Sequence, residues 1–215
     1  MDEKIEISNH ELEDKDKKSF LDDIFDMIES VIFSVFIVVL IFTYLFRIST
    51  VDGISMEPTL HNEDKLIISV LGYTPKNEDV VIIDSEALGE YDPIKDKKVN
   101  KKIVKRVVAV AGQKVDIDFE AGKVYVDDKE LPEQLFEAEG VELKQHYFVN
   151  TLTTQNFGAF EYPITVPEGY IYVMGDNRNN SKDSKHYELG YVPETEVIGK
   201  VMFRIYPFNK IGVIK

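Results

Sequence analysis

The sequence has no cysteine, no tryptophan and only four histidines in 215 residues. Without cysteine there is no disulfide framework, no thiolate nucleophile, no iron–sulfur cluster and no cysteine-ligated zinc. His10, His61, His146 and His186 lie far apart, and no two form an HExxH-like pair. Their spacing therefore suggests no metal site, and no cofactor is expected. Basic charge is also scarce: 25 Lys and Arg against 39 Asp and Glu leave a net charge of −14. Sequence-independent nucleic-acid binding needs cations to neutralise phosphates, so no nucleic-acid partner is expected. What the chain does have is core-forming material, since 44% of it is apolar.

The charge is unevenly placed. Residues 1–29 carry 4 Lys and 11 Asp or Glu, a net of −7, and residues 30–46 carry no charge. That uncharged run, SVIFSVFIVVLIFTYLF, is 17 residues long, roughly 26 Å as a helix and close to the thickness of a bilayer's hydrocarbon core. A buried helix of a soluble protein would show a polar stripe, whereas here only Ser34, Thr43 and Tyr44 interrupt the run. No small-x-small site follows it, and the flank before it is acidic, so an uncleaved anchor is expected rather than a signal peptide. Lys15, Lys17 and Lys18 before the run outnumber Arg47 after it, which favours a cytoplasmic N-terminus and an external domain. Residues 1–18 read as a disordered acidic tail, and residues 19–46 as a juxtamembrane and transmembrane helix. Ser19 with Asp22 resembles a capping box at its start.

Beyond residue 47, β-branched and aromatic runs dominate: 65–70, 79–84, 101–112, 114–117, 123–128, 169–176 and 197–207. A mostly β domain is expected, with core segments 47–117 and 166–215 and an inserted subdomain over 118–165. That insert holds a hairpin, FEAGKVYVDDKEL, followed by an irregular acidic stretch.

Three segments could carry chemistry. In VDGISMEPTL (51–60), Gly53 and Pro58 bracket Ser55 on a turn. A lone turn serine is most often a local cap, and a nucleophilic one needs a base. In IVKRVVAVAG, alternation places Ile103, Lys105, Val107 and Ala109 on one face and Val104, Arg106, Val108 and Val110 on the other. Each face thus carries one charge among apolar neighbours. Such a lysine either extends its amine to solvent or is buried and loses its proton near neutrality, becoming a general base. In GDNRNNSKDSKHYELGYVP (175–193), Asp176, Arg178, Ser181, Asp183 and Lys185 fall within ten residues. Arg178 and Ser181 stand where a calcium loop needs other residues, which opposes that reading.

In order and spacing, SMEPTL, KRVVAVAG and GDNRNNSKDS resemble the motifs of type I signal peptidases in their Gram-positive form. The resemblance implies a signal-peptidase-like antiparallel β-sheet catalytic domain with a small inserted β subdomain and one N-terminal transmembrane helix. It also implies a membrane-anchored serine endopeptidase that cleaves signal peptides from secretory preproteins after a small-x-small motif. Ser55 matches the nucleophile and Lys105 the general base. Ser181 matches the residue whose hydroxyl hydrogen-bonds that lysine, and Asp176, Arg178 and Asp183 match its supporting ion-pair network. Val51, Ile54 and Val104 are expected near the substrate pockets. The implied partners are secretory preproteins and the bilayer, and the implied state is a monomer in the cell membrane with its catalytic domain outside. The chain departs from the family in two ways. It has Lys185 where relatives commonly have Arg, and it has no serine just before Ser55 to serve as an oxyanion donor, so backbone N–H groups must take that part. A soluble Ser/Lys autopeptidase of the repressor type shares this core but would lack the anchor. An anchored binding factor that had lost activity would usually lack Ser55 or Lys105.

Overall fold

The computed structural model describes residues 2–92, 97–131, 160–178 and 180–214, and of 2–21, 41, 90–92 and 97–99 it describes the backbone alone. It comprises a helical unit, 1–45, and a β unit, 46–215.

The helical unit is α1, Asp2–Leu45, unbroken over 44 residues. No glycine or proline occurs in this stretch, so nothing in it breaks a helix. Its segment Asp22–Leu45 is long and apolar enough to cross a membrane, spanning about 36 Å. The two hydroxyls inside the apolar run are satisfied within the helix. Ser34 donates to the carbonyl of Ser30 at 2.8 Å and Thr43 to that of Val39 at 2.7 Å, so neither brings an unpaired polar group into lipid. Residues 2–18, expected to be disordered, lie in this helix. The Glu and Lys residues there have high helix propensity, and acidic residues suit a helix N-terminus. Ser19 is consequently a mid-helix residue, not an N-cap.

The β unit contains two sheets. The larger has eight strands among the described residues: β1 (Phe46–Thr50), β2 (Lys65–Ser69), β3 (Val80–Asp92), β4 (Lys97–Val110), β9 (Tyr170–Met174), β10 (Val192–Pro193), β11 (Val197–Tyr206) and β12 (Gly212–Val213). Their order is β1-β2-β11-β3-β4-β9-β10, with β12 also on β11, and every pairing is antiparallel. Val80, Val81, Ile82 and Ile83 of β3 are all buried, because each face of the sheet is covered. Val80 and Ile82 pack with Val51, Met56, Leu60 and Leu66, and Val81 and Ile83 with Ile103, Val107 and Val173.

The smaller sheet has the order β7-β6-β5-β8, from β5 (Lys114–Asp118), β6 (Lys123–Val126), β7 (Lys129–Glu130) and β8 (Ile164–Thr165). The expected hairpin, 119–131, holds β6 and β7, with Tyr125 opposite Glu130 and Val126 opposite Lys129, and β6 also pairs with β5, with Val115 opposite Val126. Asp127 and Asp128 join β6 to β7 with φ of 51° and 62°, the two left-handed residues of a type I′ turn. The sheet begins at Lys114, before the residue 118 at which the insert was expected to start. The acidic stretch 132–159 lies outside the described residues.

Strand alternation fails at one place on β4. Ala109 packs with Val108, Tyr172 and Met174, while Val110 joins the face of Ile103 and Val107. The register of β4 against β9 shifts between Val107 and Ala109, and such a bulge sends the following residues to the opposite face. Leu60 closes the turn after Ser55 and is fully buried. Leu60→Ala should destabilise the β unit by about 2–5 kcal/mol, read as a lowered midpoint in chemical denaturation of the detergent-solubilised chain.

Candidate active site

Ser55 lies in the turn that leaves β1. Gly53, two residues earlier, has a φ of +98°, a conformation that favours glycine, and its N–H donates to Asn62 Oδ1 at 2.9 Å. Glu57 N–H bonds the carbonyl of Ile54 at 3.2 Å, and Leu60 N–H bonds that of Met56 at 2.9 Å. Met56 and Leu60 then anchor the turn in the core. The Ser55 side chain is left half-buried. Its own N–H and that of Met56 make no hydrogen bond among the described residues.

Lys105, on β4, is 3% exposed. Its Nζ lies 2.8 Å from Ser55 Oγ and 3.0 Å from the carbonyl of Val104. Burial pulls its pKa from 10.5 down to about 8, with the nearby Asp183 carboxylate opposing the fall and Lys185 adding to it. A lysine in this state carries an available lone pair at mildly alkaline pH. The sequence-expected pair is thus in hydrogen-bond contact across 50 positions of chain.

Under it lies a buried polar network. Asp176 accepts two bonds from Arg106, Nε at 2.8 Å and Nη2 at 2.7 Å, and a third from Thr59 Oγ1 at 2.6 Å. The remaining Arg106 nitrogen, Nη1, donates to the carbonyl of Glu78 at 2.7 Å. One carboxylate therefore ties β4, the Ser55 turn and the 175–185 segment together. Arg178 is buried beside the Asp176 and Asp183 carboxylates, which favour its charge. Asp183 accepts from Gly175 N–H at 3.0 Å and, with both oxygens at 2.7 Å, from Lys185 Nζ. Burial works against its ionisation, but Lys185 overcomes this and holds the carboxyl below the usual range. Lysine at 185 thus reaches both carboxylate oxygens with its single amine.

Ser181 is buried, and its Oγ has no hydrogen-bond partner among the described residues. The Asp183 carboxylate is near enough to feel its hydroxyl, while Lys105 bonds to Ser55 and Val104. Gly175 is wedged between the two serines: a methyl group there would come 2.2 Å from Ser181 Oγ and 2.4 Å from the Ser55 carbonyl oxygen. Of the expected pocket residues, Val51 is in the core, Val104 is half-buried against it and Ile54 is exposed. Sequence reading picked out Arg106 as a charge on an apolar face but gave it no partner, and it gave Thr59 and Asn177 no role.

A family model described as signal peptidase, peptidase S26, matches residues 24–206. The chain belongs to this family. Among its relatives, a signal peptidase I of Bacillus amyloliquefaciens is 30% identical across 94% of this chain and 98% of its own length. One from Bacillus licheniformis is 33% identical across 87% of this chain and 91% of its own. Signal peptidase I S of Bacillus subtilis strain 168 is 29% identical across 91% and 94%. Membership makes the chain a serine peptidase of the signal peptidase I type, and its long apolar helix agrees with the family's membrane association.

Removing Arg106 would leave Asp176 buried and without its cation. Arg106→Ala should cost about 3–5 kcal/mol in denaturant-induced unfolding, and Asp176→Asn, which leaves the buried Arg106 without its anion, should cost a similar amount.

Proposed function

We propose that this chain is a membrane-anchored endopeptidase that removes N-terminal signal peptides from secretory preproteins, with Ser55 as nucleophile and Lys105 as general base. The observation that carries the proposal is the 2.8 Å approach of a buried lysine, its pKa lowered by burial to about 8, to Ser55 Oγ. Neutral Lys105 takes the hydroxyl proton as Oγ attacks the scissile carbonyl, and the resulting ammonium protonates the leaving amine. Water then hydrolyses the acyl-enzyme, with Lys105 again accepting a proton. The unpaired Ser55 N–H supplies oxyanion stabilisation, where each donor is worth about 3–4 kcal/mol. Arg106, Asp176, Arg178 and Asp183 hold the two reacting residues in place, and the Ser181 hydroxyl accepts from the Lys105 ammonium once Ser55 is acylated.

The substrate binds extended. Among the described residues, β4 pairs over 101–105 with β3 on one edge only, because β9 joins its other edge from Arg106 onward. A peptide adding to that open edge is held by main-chain bonds next to Lys105. Small residues before the scissile bond then face Ile54 and Val104, beside the Val51 core. The apolar part of α1 anchors the enzyme, with the lysines at 15, 17 and 18 in the cytoplasm and the β unit outside.

Ser55→Ala and Lys105→Ala should each abolish cleavage of a model preprotein by the purified, detergent-solubilised chain. Undiminished cleavage by either variant overturns the dyad. In the wild type, kcat/KM should rise with pH through about 8, where Lys105 loses its proton. The same shift predicts a stability effect with a definite sign. The unfolded chain holds the Lys105 proton up to about 10.5, while the folded chain gives it up near 8. The wild type is therefore expected to gain stability over Lys105→Met between those pH values, with the variant ahead below about pH 8.

A further inference from the structure

We propose that Asn177 is a positioning residue for the oxyanion donor, orienting the peptide plane that carries the Ser55 N–H; this rests on the reading of Ser55 as the nucleophile.

Asn177 is the residue that the Ser55 turn leans on. Its side-chain Nδ2 donates to the carbonyl of Ile54 at 3.1 Å, and its backbone N–H donates to the carbonyl of Ser55 at 3.0 Å. Asn177 thus bonds two consecutive carbonyls of the turn, that of Ile54 shared with the Glu57 N–H at 3.2 Å and that of Ser55. The peptide bonds on either side of Ser55 are trans, because the cis bonds near the turn are confined to Glu57–Pro58. In a planar trans peptide the N–H points opposite to the C=O of the same unit. Fixing the Ile54 oxygen toward Asn177 therefore fixes the Ser55 N–H pointing away from Asn177. Fixing the Ser55 oxygen does the same for the Met56 N–H. Neither of these two amides has a hydrogen bond of its own among the described residues.

The Asn177 amide is itself oriented. Its Oδ1 faces the Asn180 Nδ2 at 3.4 Å, and its carbonyl accepts from the Asn180 N–H at 3.0 Å, which leaves Nδ2 turned toward Ile54. The preceding residues hold it in place: Asp176 is bound by Arg106 and Thr59, and Gly175 by Asp183. Asn177 therefore transmits the rigidity of the buried ion network to the one peptide plane whose direction matters for oxyanion binding. A general structural role would lower stability or substrate affinity. A donor-orienting role lowers the chemical step, since the oxyanion exists only there.

The test compares the wild type with Asn177→Ala and Asn177→Asp in the full-length, detergent-solubilised chain, measuring kcat and KM for a model preprotein, Tm and the pH at which activity rises. Asn177→Ala should lower kcat by about 10- to 100-fold, short of the roughly 10²–10³ lost with an outright donor, with KM, Tm and the pH midpoint near those of the wild type. Asn177→Asp keeps the volume and the backbone bond but sets an acceptor against the Ile54 carbonyl. It should lower kcat at least as far, which provides the readout should the alanine variant fold poorly. A kcat within twofold of wild type in the aspartate variant, or losses that follow Tm or KM, overturns the proposal. Ser55→Ala measured alongside separates the two readings: if it still cleaves, the nucleophile assignment fails, whereas if it is inactive and the Asn177 variants are not impaired, only the role of Asn177 fails.

Discussion

The carboxylate of Asp176 is the fixed point around which the rest of the site is arranged. It accepts a two-pronged bond from Arg106 and a hydroxyl bond from Thr59, in surroundings closed to water. A buried charge is tolerated only when its partners are well placed, so the three chain segments that supply them cannot move independently. Arg106 adjoins Lys105, Thr59 follows Ser55 by four residues, and Asp176 adjoins both Gly175 and Asn177. The distance between the proposed nucleophile and base is thus set indirectly, by an ion pair that touches neither.

The neighbouring pair, Asp183 and Lys185, acts at longer range. Its charges oppose each other at Lys105, where the carboxylate favours the ammonium and the lysine opposes it. Burial is left as the dominant influence, so the proposed base is tuned mainly by exclusion of water. In a chain without cysteine and with few histidines, a dehydrated lysine gives a base near neutrality without any further titrating partner.

The sequence made some parts of this arrangement legible and hid others. Ser55 and Lys105 lie in short motifs whose order resembles a known family, and the main strands show as apolar runs between turn residues. The long apolar helix was readable from its lack of charge. Arg106 stood out as a charge on an apolar face, but its partner is 70 residues away, and no periodicity reports such a distance. Ala109 was placed on the wrong face because a bulge adds a residue that alternation cannot anticipate. The strand β1 was overlooked because five mixed residues just after an apolar helix read as a linker, although pairing with β2 makes them a sheet edge. The acidic first residues join the helix for want of a breaker, a local fact that composition alone did not reveal.

Gly175 sets a tolerance on all of this. With its single hydrogen it lets two backbone stretches pass at a separation that no other residue type permits. Any β-carbon would wedge the Ser55 turn away from the 175–185 segment, which would open the contact between Oγ and Nζ. The alignment of a reaction that depends on fractions of an ångström is therefore limited by the absence of one carbon atom. In that sense the machinery is calibrated by an empty space as well as by the charged groups around it.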